Sequence, residues 1–162
     1  MSDLCERISK LKVHLDEAIE VERNLARRLA EQETALLGGA VEEIQCANAA
    51  LDRVYQELRE VSTSCTRAVA ELYTDLGLLL GSPLRQVIER LPADEAPGLR
   101  EQSSRLQQAR DAARRQSARN ATIARTSLDA IASVRGILSE AAQDPEAGAY
   151  VASSTSRLDA RA

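Results

Sequence analysis

The chain has 162 residues, a formal net charge of −4, no Phe, no Trp and three Tyr. A compact α/β enzyme of this length fills a three-dimensional core with aromatics, and a nucleic-acid-binding protein carries a basic excess, so the composition argues against both classes. Leu, Ala, Ile and Val at helical spacing build a long, thin core instead, which predicts an elongated all-α helical bundle.

The first helix is expected from about Ser2 to Leu37. Its seam reads Leu4, Ile8, Leu11, Leu15, Ala18, Glu22, Leu25, Leu29, Gln32, Leu36. The steps alternate four and three, the heptad period of a coiled coil, and Glu22 and Gln32 break the apolar run. Gly38 and Gly39 then supply a C-cap and turn. The second helix is expected from about Val41 to about Leu78, with the seam Ile44, Ala47, Leu51, Val54, Leu58, Val61, Cys65, Ala68, Leu72. Two long helices joined by so short a turn form an antiparallel hairpin.

Ser82 to Leu91 reads as a short helix, with Ser82 as N-cap, Pro83 in the first helical position and Pro92 as the stop. Leu84, Val87, Ile88 and Leu91 give it one apolar face. The last helix is expected from about Glu95 to Ala142. Between Arg100 and Arg125 it carries seven Arg against Glu101 and Asp111, a balance of +5. From Met1 to Gly81 there are nine basic and fifteen acidic residues, a balance of −6. Either the basic helix lies along the acidic hairpin or it binds an acidic partner.

From Gln102 to Arg119 the last helix is thinly apolar. At about 100° per residue, Ile123, Ala124, Ile131, Val134 and Leu138 then share one side, with Asn120 and Ser127 in the middle of the stripe. Such a stripe either packs tightly through small residues or receives a partner helix, read as i, i+3, i+4 and i+7 anchors. The division expected is a helical domain over residues 1–142 and a disordered, Ser-rich tail over 143–162 with Tyr150, Val151 and Leu158 as its sizeable apolar groups.

No catalytic constellation is present, so no enzyme, metal site or cofactor is expected. His14 is the single histidine, and no cysteine lies at metal-ligand spacing to it. Adjacent carboxylates such as Glu42 and Glu43 point to different helix faces. Cys5, Cys46 and Cys65 form no C-x-x-C pair, which suits reduced thiols. The N-terminal MSDLCERISKLK has no apolar leader core, and no run of about 18 apolar residues exists to span a membrane. A cytoplasmic protein without stable membrane insertion is the expectation, with homo-oligomerisation left open.

Several segments in order resemble the FlgN-type flagellar export chaperones. ETALLGGAVEEIQCANAAL is similar to the family's Gly-containing turn between two long helices. LYTDLGLLLGSPLRQVIERLP looks like its "LGL" helix end, spacer and short helix. ARNATIARTSLDAIASVRGIL resembles the start of its C-terminal apolar helix, with Arg119 and Asn120 at the motif. Tyr150 stands where the family often places a tyrosine, although Val151 follows it here, and Asn48 stands where a Lys is often seen. The resemblance implies a cytosolic chaperone that holds C-terminal helical segments of hook–filament junction proteins, prevents their premature assembly and delivers them to the export gate, with Tyr150 as a candidate gate contact. On it, residues 120–138 of the stripe are the partner-binding face. A helical adaptor or regulatory coiled-coil protein without an export role would share the same helical features.

Overall fold

The computed structural model describes residues 2–143. Four helices account for the fold: α1 (Ser2–Gly38), α2 (Val41–Leu76), α3 (Leu84–Arg90) and α4 (Ala96–Gln143). The chain divides into two compact units, Met1–Asn120 and Ala121–Ala162, and the division falls within α4. The expected tail over 143–162 lies almost wholly outside the described residues, as does Tyr150.

In the first unit α1 and α2 form the hairpin. Gly39 makes the turn in left-handed backbone at φ +74°, and its N–H donates to the Ala35 carbonyl at 3.0 Å. A side chain is disfavoured at that φ, which is why the helix ends on glycine. Gly77, at φ +62°, ends α2 two residues before the expected Leu78. The Leu78 N–H reaches back to the Tyr73 carbonyl at 2.8 Å, closing the helix end. The short helix also differs from expectation. Pro83, in extended backbone, takes the N-cap position, and Ser82 does not cap. The Ser82 hydroxyl donates to the Leu79 carbonyl at 2.8 Å and its own carbonyl accepts from the Tyr73 hydroxyl, so the residue is committed to the preceding turn.

The packing of this unit has two apolar clusters. The first joins all four helices: Ile8, Leu11, Leu15 and Ile19 of α1, Leu72 and Tyr73 of α2, Val87 and Ile88 of α3, then Leu91, and Leu99 and Leu106 of α4. The second joins three helices through Leu25, Leu29, Leu51, Val54 and Ala113. Ile19 lies off the heptad seam yet is fully buried. α1 is flanked by two long helices, so its apolar face must be wider than a two-helix seam requires. Each Leu or Ile taken from water contributes about 1.5–3 kcal/mol, so these clusters dominate the stability of the unit.

The direction of α4 follows from its pairings. Lys12 pairs with Glu95, Glu22 with Arg110 at 3.2 Å and Glu33 with Arg119 at 3.4 Å. Residue numbers rise together along both helices, so over this unit α4 runs parallel to α1 and α2 antiparallel to both. Arg110 and Arg119 thus meet the acidic hairpin, as the intramolecular reading of the charge imbalance expects. The second unit, where described, is the helical segment 121–143 of α4.

Candidate partner-binding face

A surface able to hold a helix needs apolar side chains turned outward at helical spacing. Such a row lies in the second unit. Leu128, Ile131, Val134, Ile137 and Leu138 are large apolar residues left 54–65% exposed. Helical geometry gathers them within about three turns, or roughly 15 Å of axis. The hydroxyls nearby turn back on their own helix: Thr126 donates to the Thr122 carbonyl at 3.0 Å and Ser133 to the Asp129 carbonyl at 2.9 Å. Ser127, one turn before Ile131, is exposed at the start of the row.

The stripe residues expected from sequence separate into three groups. Ile131, Val134, Leu138 and Ser127 are exposed together. Ile123 and Ala124 are half-buried. Asn120 belongs to the first unit and is 5% exposed. Its amide nitrogen donates to the Leu29 carbonyl at 2.7 Å and to Gln32 Oε1 at 2.8 Å, and its oxygen accepts from Gln116 at 3.1 Å. The amide is fully engaged inside the bundle. Leu128 and Ile137 were not among the expected residues, yet a signal for both exists. Leu128 lies one turn before Ile131 and Ile137 one turn after Val134, so i, i+3 spacing places them at the edges of the stripe.

Other reactive groups lie outside this face. His14 Nδ1 sits 3.0 Å from Glu17 Oε2 on the surface of α1. The half-buried Cys65 thiol donates to the His14 carbonyl at 3.3 Å. Burial pushes its pKa up, Arg110 opposes that shift and Glu17 adds to it, so Cys65 is held as the neutral thiol. Cys5 and Cys46 are free and exposed. Among the described residues no cluster of His, Cys, Asp or Glu could hold a metal ion, and no helix is long and apolar enough to cross a membrane.

Among the described residues the chain is an all-helical protein with an exposed apolar row on its last helix. The family is more specific: a family model described as "FlgN protein" matches residues 1–156, and the chain belongs to the FlgN family. Neither a curated protein nor a solved structure is found to match it. Membership makes the chain a flagellar export chaperone in general terms, within a family of chaperones and not of enzymes.

Proposed function

We propose that the exposed face of α4 receives C-terminal helical segments of hook–filament junction proteins, keeps them from assembling early and presents them in the cytoplasm to the flagellar export gate. The observation that carries this reading is the row Leu128, Ile131, Val134, Ile137 and Leu138, each more than half exposed. Isolated surface leucines are ordinary, but five large aliphatic residues within eleven positions of one helix form a contiguous patch. A partner helix covering them gains about 1.5–3 kcal/mol for each side chain fully removed from water, offset in part by the entropy lost on association.

Ser127, between Ile123 and Ile131 on the stripe, favours one alignment of the partner, since a polar group in an apolar seam penalises shifted pairings. Asn120 is engaged within the first unit and serves to position α4. Residues 1–142 act as the chaperone domain, and residues 143–162 as a tail whose Tyr150 contacts the gate.

The test is Ile131→Asp or Leu138→Asp, with binding of a purified junction-protein C-terminal segment measured by calorimetry. A charge buried without a partner costs several kcal/mol, and 3 kcal/mol already weakens binding more than a hundredfold. The expected result is that loss with helical content retained. Normal binding by the folded variants would place the partner on another surface. Unfolding would assign the stripe to the core.

A further inference from the structure

Among the described residues the buried polar or charged side chains are Glu22, at 6% exposure, and Asn120, at 5%. Each marks a polar layer between α1 and α4. In the first, Glu22 Oε1 accepts from Arg110 Nε at 3.2 Å. In the second, Asn120 donates to Gln32 Oε1 and to the Leu29 carbonyl. Gln32 donates in turn to Asn48 of α2 at 2.7 Å. Gln116 bonds both Asn120 and Glu33, and Arg119 pairs with Glu33.

The two layers share one spacing. Glu22 and Gln32 are ten residues apart on α1, and Arg110 and Asn120 are ten residues apart on α4. The helices run parallel, so equal spacing lets both layers form in one alignment. A slip of one heptad keeps seam against seam, because Leu99, Leu106 and Ala113 recur every seven residues on α4, as Leu4, Leu11, Ala18 and Leu25 do on α1. The same slip sets Asn120 opposite Leu25 or Gly39 in place of Gln32, and parts Glu22 from Arg110. Two buried polar groups would then be stranded, which is far more costly than exchanging one apolar contact for another.

We infer that these layers are a two-point register code that fixes where α4 lies along α1. The polar breaks in the α1 seam are its two marks, and Arg110 and Asn120 are the matching marks on α4. The code makes Asn120 the last α4 residue bonded to α1 in this unit. A polar residue in an apolar seam commonly selects alignment at some cost in stability. Arg110 and Asn120 are therefore positioning residues.

The experiment uses the full chain with Cys5, Cys46 and Cys65 replaced by Ser, and spin labels at Glu6→Cys and Gln108→Cys, both exposed positions. Pulsed electron–electron resonance reads their separation. With native layers one distance is expected. In the variant Glu22→Leu/Gln32→Leu/Arg110→Leu/Asn120→Leu a second distance should appear, displaced by about 10 Å, the length of seven helical residues. Restoring Gln32 and Asn120 should return the single distance. A single unchanged distance in the fourfold variant would overturn the inference and leave alignment to the apolar cluster around Leu91 and Leu99. Loss of the helical signal in that variant would overturn it too, because the layers would then hold the helices together and not merely select their alignment.

Discussion

The two parts of α4 invert the usual relation between composition and burial. The part before Asn120 is poor in large apolar residues, yet Leu99, Leu106, Ala109 and Ala113 are buried. The part after it is richer in Leu, Ile and Val, yet Leu128, Ile131, Val134, Ile137 and Leu138 are exposed. Small residues and paired polar groups bring the first part against α1, where alanines permit close approach and Arg110, Gln116 and Asn120 answer polar groups on the facing helix. The second part leaves those five large side chains more than half exposed. Burial along one helix is thus decided by the face it meets. The apolar stripe most visible in the sequence is the one left exposed.

Matched substitutions in the two parts sharpen this contrast. The largest difference is expected from a charge. Leu99→Asp places a carboxylate at a fully buried site in the cluster shared by all four helices, and should cost several kcal/mol, enough to unfold the first unit in thermal melts followed by circular dichroism. Ile131→Asp in the same melts should shift the midpoint by no more than about 2 °C, because exposed substitutions stay within about 0.5 kcal/mol. Equal losses at the two sites would break the comparison.

A smaller difference is expected from added volume. Ala109→Leu forces three extra carbons into a buried small-residue contact and should destabilise by about 1–3 kcal/mol in urea titrations. Ala130→Leu, at an exposed position, should be neutral in stability and should leave or improve partner binding. The smallest difference concerns surface charge. Arg119 is largely exposed even though it meets Glu33, so Arg119→Ala should cost a few tenths of a kcal/mol at low salt and nothing measurable near 1 M salt. Arg125→Ala should show no such salt dependence of stability.

The helical hairpin was legible in the sequence because its determinants are local or periodic. Alternating steps of three and four placed Ile8, Leu11, Leu15 and Leu29 of α1, and Leu51, Val54 and Leu72 of α2, on buried faces. The glycines placed the turns within two residues, since positive φ is a property of the residue itself. The short helix was found, but its cap was assigned to Ser82, because a competing hydrogen bond to Leu79 and the pull of Tyr73 on the Ser82 carbonyl arise from the fold around it. Periodicity also grouped Asn120 with Ile131 and Leu138. A helical wheel assigns a side chain to a face and cannot say where along the helix a neighbour stops. The sequence by itself determined four helices, their hairpin turn and the apolar stripe, because spacing and backbone preference act within a segment. Only the tertiary structure decided that Glu22 and Gln32 face Arg110 and Asn120, that Ile19 is buried, and that Leu128 to Leu138 are exposed. Each of these depends on which surface lies opposite, and a hydrogen bond or a desolvated contact exists only between two groups brought together.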